Sequence, residues 1–153
     1  MLTREGLKRL GVRERAAGRK VGLCNGAFDL LHVGHLRYLR DAARRCDVLV
    51  VAVNSDASVR AAKGPDRPVI PEQERLELVA GLDGVDAVHL FSEATVSDVL
   101  RALRPHFHFK GTDYTTTSVP EAALVRELGG KVVIVGDPKD HSTTALKRKL
   151  ANA

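Results

Sequence analysis

Short runs of β-branched residues alternate along this chain with amphipathic stretches, and no other feature constrains its fold as tightly. Residues 20–24, 48–53, 87–91, 107–110 and 131–135 read as strands, and residues 33–45 as the first helix between them. Helical spacing recurs at Leu36, Leu39 and Ala43, at Leu76, Val79 and Ala80, and at Val96, Val99, Leu100 and Leu103. Each set marks a face turned to a core. Pro105 stops one helix ahead of the strand at Phe107, and Gly129-Gly130 stops another ahead of Lys131. The alternation predicts an α/β fold, a parallel sheet with helices between its strands.

A chain of 153 residues is the size of one domain. Residues 1–19 read as a charged amphipathic helix ahead of an α/β core spanning 20–153, packed on the edge of the sheet. The longest purely apolar run, residues 48–53, is far shorter than the roughly 20 residues a bilayer span needs. Charges at Arg4, Glu5, Lys8 and Arg9 interrupt the segment where a signal peptide would be continuously apolar. A cytoplasmic protein is expected, with Cys24 and Cys46 as reduced thiols. A net charge of +5 favours anionic partners. With no Trp and only two Tyr there is little to stack on bases, so phosphorylated metabolites are preferred over nucleic acid or a membrane.

Ligands of an open parallel sheet bind beyond the carboxyl ends of its strands, where the strand order switches direction. The segments to inspect are therefore 25–35, 54–63, 111–114 and 136–144. The first runs Asn25-Gly26-Ala27-Phe28-Asp29 and on to His32-Val33-Gly34-His35, leaving a strand and entering a helix. Two imidazoles three residues apart at a helix start share one face, beside unpaired backbone N–H groups and the positive end of the helix dipole. That arrangement suits phosphate, and Gly34 lets a triphosphate approach the backbone. Two histidines so placed also serve to cap a helix or to bind a metal. Asp29 orients its loop or a bound metal and nucleotide, or caps a turn. Ser142 is a natural N-cap for the last helix, and Ser142-Thr143-Thr144 can present hydroxyl and N–H groups to phosphate. Lys63 sits in a loop flanked by glycine and proline. Arg75 precedes the apolar stripe at Leu76 and can point inward or outward.

The HxGH segment resembles the signature of the cytidylyltransferase-like nucleotidyltransferases. Residues 53–58, 63–68 and 72–75, Lys110-Gly111-Thr112-Asp113-Tyr114 and the Ser-Thr-Thr motif are similar, in order and spacing, to the bacterial heptose 1-phosphate adenylyltransferases within that superfamily. The resemblance covers the chain from about Lys20 onward. It implies a Rossmann-like parallel sheet flanked by helices on both faces. It also implies transfer of AMP from ATP to a sugar 1-phosphate, with Mg²⁺ shielding the triphosphate and pyrophosphate released. Attack is implied to be direct and in line, with no covalent enzyme intermediate.

By the same resemblance His32 and His35 stabilise the transition state and Lys63 contacts the acceptor phosphate. Asn25, Gly26, Ala27, Phe28, Asp29, Gly34, Lys110, Gly111, Asp113, Ser142, Thr143 and Thr144 form the nucleotide site, and Asn54, Asp56 and Arg75 serve the acceptor, with turn roles for Asn54 and Asp56 and a structural role for Arg75 as the alternatives. No metal ligand can be named. A separate sugar kinase would supply the acceptor, and a homo-oligomer is expected. The chain departs from the family pattern at Thr112, where glycine is usual, and at Asp140-His141; both changes bear on base and acceptor choice. The rival readings are a cytidylyltransferase for glycerol 3-phosphate or another alcohol phosphate, and a noncatalytic nucleotide-binding module.

Overall fold

The computed structural model describes residues 1–138 and 141–153, so the departure at Asp140 lies outside the described residues. Five strands form one sheet: β1 Val21–Gly26, β2 Val48–Asn54, β3 Ala87–Phe91, β4 Phe107–Lys110 and β5 Lys131–Ile134. Every pairing is parallel, in the order β3-β2-β1-β4-β5. Seven helices accompany them among the described residues: α1 Arg4–Ala16, α2 Val33–Ala43, α3 Asp56–Lys63, α4 Glu72–Ala80, α5 Ser97–Leu103, α6 Ala122–Glu127 and α7 Thr143–Ala151.

The apolar run in β2 explains how the layers assemble. Val48, Val50 and Ala52 point into one core with Leu7 and Leu10 of α1, Leu100 and Leu103 of α5, and Val125 of α6. Leu49, Val51 and Val53 point into the other core with Leu39 and Ala42 of α2 and Leu76 and Val79 of α4. A central parallel strand is covered on both faces, so it reads as continuous hydrophobicity instead of alternation. Helices therefore cover both faces of the sheet, as the family resemblance implied.

The strands at 87–91 and 107–110 fall where the sequence placed them. β5 ends at Ile134, α2 at Ala43 and α1 spans only Arg4–Ala16, and further details differ. β1 extends two residues further, because Asn25 and Gly26 pair in register with Ala52 and Val53. Residues 56–63 form α3 instead of a loop, capped by Ser55, whose hydroxyl accepts from the Ser58 N–H at 3.2 Å. Ala80 is exposed at the end of α4. Finally, α1 lies over a face of the sheet against α5, and it is the residues ahead of it that reach the edge. There the Leu2 N–H donates to the Val88 carbonyl at 2.8 Å, and the Leu2 carbonyl accepts from His89 Nδ1 at 2.8 Å. No helix among the described residues is long and apolar enough to cross a membrane.

The approach of α1 to α5 depends on Gly11, since a Cβ there would run into the Leu103 carbonyl oxygen. Gly11→Ala should therefore destabilise the protein by about 1–3 kcal/mol, the usual scale of overpacking. Thermal unfolding should show a midpoint several degrees lower; an unchanged midpoint would mean that the helices part at little cost.

Candidate active site at the sheet switch point

From β1 the chain winds outward through β2 and β3 on one side, and β4 and β5 extend the sheet on the other. The crevice of such a sheet lies between β1 and β4 at their carboxyl ends. A cleft of about 500 Å³ opens there, lined by the segment after β1, the start of α2, the inner side of α3, the segments after β4 and β5, and the start of α7.

His32 is the N-cap of α2. Its Nδ1 accepts from the Gly34 N–H at 3.1 Å, and His35 Nδ1 accepts from the His32 N–H at 3.3 Å. The two imidazoles thus form a reciprocal capping box, a task more often given to Ser and Glu. Their rings lie 3.9 Å apart, and Phe28 packs on His35 at 5.5 Å. A nitrogen that accepts from an amide carries no proton, so in each neutral ring the N–H sits on Nε2. Both histidines then act as donors through Nε2, at the positive end of a helix. Gly34 has a further role that sequence did not reveal: a Cβ there would lie 2.9 Å from His32 Cε1 and Nδ1, so its absence makes room for the capping ring.

The loop into α2 is held under strain. Phe28 and Leu30 both have φ of +51°, a left-handed conformation that costs side-chain-bearing residues on the order of 1–3 kcal/mol. Asp29, between them, anchors the loop. Its buried carboxylate accepts from the Val69 and Ile70 N–H groups at 3.0 Å each and from Arg67 at 3.3 Å. Burial alone would raise its pKa, but those donors outweigh burial and hold the carboxyl below its usual range. Asp29 therefore orients its loop, one of the roles the sequence offered, while lining the cleft.

The remaining expected residues divide clearly. Asn25, Gly26, Ala27 and Asn54 line the cleft from the ends of β1 and β2. Lys63, the last residue of α3, lines it from one side; Lys110, the last residue of β4, and Gly111 and Asp113 just beyond it line it as well. Ser142, Thr143 and Thr144 close it. Ser142 Oγ caps α7 by accepting from the Ala145 N–H at 3.1 Å, and Thr143 Oγ1 donates to the Asp29 carbonyl at 2.8 Å. Thr112, one of the departures, donates to the Asp137 carbonyl at 2.9 Å and ties together the segments after β4 and β5.

Arg75 and Asp56 are not among the lining residues. Arg75 is fully buried. It donates to the carbonyls of Ile70 at 2.9 Å, Ala27 at 2.5 Å and Asn54 at 2.8 Å, and to the Asp56 carboxylate at 2.7 Å. Its place is that of a clasp, the structural one of its two expected roles, and the expectation that this pair meets the acceptor is corrected. Sequence reasoning missed Arg37 and Arg67, which do line the cleft, as does His141, one of the departures; Arg37 pairs with Asp137 at 3.0 Å on its rim. Arg67 lay within the 63–68 segment already singled out, and its charge was the signal that could have found it.

The cytidylyltransferase-like family profile matches residues 23–150. This chain belongs to the cytidylyltransferase-like family. Its nucleotidyltransferase character, first read from the HxGH segment, stands with that membership. Among relatives, the bifunctional protein HldE of Trichlorobacter lovleyi is 46% identical over 147 residues, 96% of this chain and 30% of that protein. HldE of Hyphomonas neptunium is 47% identical over 134 residues, 88% of this chain and 28% of that one. This cytidylyltransferase-like chain thus spans under a third of the length of these relatives. A lipopolysaccharide core biosynthesis protein from Thermoplasma volcanium is similar in structure, with a TM-score of 0.70 and 27% identity, covering 80% of this chain and 100% of that one.

Arg75→Met should cost about 3 kcal/mol or more, because it leaves Asp56 and three carbonyls without their donor. Denaturant unfolding measures this. A variant of unchanged stability but weakened use of a phosphorylated acceptor would return Arg75 to the substrate.

Proposed function

We propose that this chain transfers AMP from ATP to a sugar 1-phosphate, a heptose 1-phosphate in the first instance, and releases pyrophosphate. The observation that carries the reading is the His32–His35 capping box, which leaves Nε2 of each ring as its donor and sets both imidazoles and a helix N-terminus in a cleft that Lys63 also lines. Nucleotidyl transfer accumulates negative charge on the α-phosphate and on departing pyrophosphate, and donors fixed in advance stabilise that charge without reorganising. The similarity of residues 53–58, 63–68 and 110–114 to the heptose enzymes supports this acceptor, as does similarity to a protein named for lipopolysaccharide core biosynthesis.

In this reading the acceptor phosphate attacks in line. Lys63 holds that phosphate, and the α2 and α7 N-termini hold the triphosphate. Asp29 acts at one remove, keeping the strained loop in place. Among the described residues no three His, Cys, Asp or Glu side chains converge on one point. That fits Mg²⁺, which keeps waters and phosphate oxygens as ligands and needs only one or two protein carboxylates. Asp113, exposed on the cleft, is one carboxylate that would hold it there. The ion shields triphosphate charge when bound. A cytoplasmic setting and a kinase activity that supplies the sugar phosphate complete the proposal.

The test is pyrophosphate release with Mg²⁺ across ATP, CTP, GTP and UTP, each paired with heptose 1-phosphate, other sugar 1-phosphates and glycerol 3-phosphate. Release confined to ATP and heptose 1-phosphate is expected. A productive pair of CTP and an alcohol phosphate would replace the substrate, and silence throughout would contradict the reading. On the productive pair, His35→Ala should keep its fold and lose at least about 100-fold in turnover; near wild-type turnover would remove it from catalysis. Lys63→Ala should chiefly raise KM for the acceptor, and a change confined to nucleotide binding would put Lys63 on the wrong side of the site.

A further inference from the structure

Beneath the floor of the cleft lies a polar cluster that joins the two strands of the switch point. Asn25, near the end of β1, accepts through Oδ1 from Lys110 Nζ at 3.1 Å and from His108 Nε2 at 3.0 Å, both on the neighbouring strand β4. His108 is fully buried and Lys110 nearly so. The Lys110 ammonium has Glu121 at 3.9 Å and stands 5.2 Å from the centre of the Tyr114 ring.

These contacts settle which way the Asn25 amide faces. An ammonium can only donate, so the atom turned to Lys110 is the amide oxygen. His108 Nε2 meets the same oxygen and must therefore carry the ring proton. This agrees with the state of that ring, since burial and then the nearby Lys110 push the imidazole down to about 3 and leave it neutral. Its Nδ1 makes no hydrogen bond, so the ring's contribution to the cluster is the single donation to Asn25. With the oxygen held by two donors, the amide cannot rotate without breaking both bonds. Its NH₂ group takes up no partner among the described residues and belongs to a residue that lines the cleft floor, just ahead of the loop into α2.

We infer that Asn25 Nδ2 is a preset hydrogen-bond donor to a phosphate oxygen of the bound nucleoside triphosphate, and that Lys110 is a positioning residue acting through Asn25 instead of a direct phosphate contact. The inference rests on the nucleotidyl reading above and changes the role that sequence gave Lys110. Lys110 borders the cleft but is nearly buried, and its charge is already engaged by Asn25, Glu121 and the Tyr114 ring. A neutral donor held in place costs little to desolvate and loses no rotational freedom when the ligand arrives.

A double-mutant cycle on Mg²⁺·ATP affinity, read by calorimetry without any acceptor, separates a residue acting through Asn25 from one acting alone. Asn25→Ala and Lys110→Met should each weaken binding about tenfold, the scale of one well-placed hydrogen bond to a charged group. The double variant should bind no worse than Asn25→Ala. Asn25→Asp keeps an oxygen for Lys110 and His108, so it preserves the cluster while removing the donor; it should weaken ATP at least as much as the alanine variant. Losses that multiply to about 100-fold in the double variant would overturn the inference, as would an Asn25→Asp protein that binds ATP like wild type. A wild-type chain that binds no Mg²⁺·ATP overturns the adenylyl reading itself and this inference with it.

Discussion

Arg75 has no exposed surface, and a charged guanidinium is kept in a protein interior only if its N–H groups find acceptors. Here they find the carbonyls of Ala27, Asn54 and Ile70 and the carboxylate of Asp56. Those partners belong to the loop after β1, the end of β2, the segment ahead of α4 and the start of α3. One side chain thus fastens the pieces of backbone that flank the cleft. Asp29 works beside it from the opposite charge, drawing the Val69 and Ile70 N–H groups against the loop into α2. Between these two buried ions the strained stretch from Phe28 to Leu30 is held in a shape it would not keep alone.

That shape delivers α2 at the angle its cap requires. His32 and His35 satisfy each other's helix terminus, so the residues that would meet a triphosphate also hold the helix end together. Stability and chemistry share these side chains, which fixes the rings before any ligand binds. α7, by contrast, buries none of its residues, and the bond from Thr143 to the Asp29 carbonyl ties it to the same loop. The far wall of the site therefore depends on the near one.

Much of the fold was legible because a parallel strand covered on both faces leaves a plain trace. The unbroken run from Val48 to Val53 and the stripe at Leu76 and Val79 could be placed without coordinates. α3 left no such trace, since Val59 is its only buried residue and no stripe forms. The HxGH and Ser-Thr-Thr segments were visible as sites because a strand end followed by a helix start is recognisable from local residues alone. Arg75 was not legible in the same way. A lone arginine ahead of an apolar stripe usually lies outward, and only the folded chain brings three carbonyls around it. Nor could sequence show that Gly34 yields its space to His32, which depends on a ring turning back over its own helix. Lys110 and Asn25 were each selected, but their contact spans 85 positions and had no local signal.

In the proposed reaction His32 and His35 are donors that stabilise charge, not nucleophiles, which requires one direct displacement at the α-phosphorus. The most direct measurement of that claim is the stereochemical course of transfer from an ATP analogue chiral at the α-phosphorus through sulfur substitution, using the acceptor that gives pyrophosphate release. A single in-line attack predicts inversion of configuration in the nucleotidyl product. Retention would mean two displacements through a covalent nucleotidyl-enzyme, and would contradict the role assigned to the histidine pair.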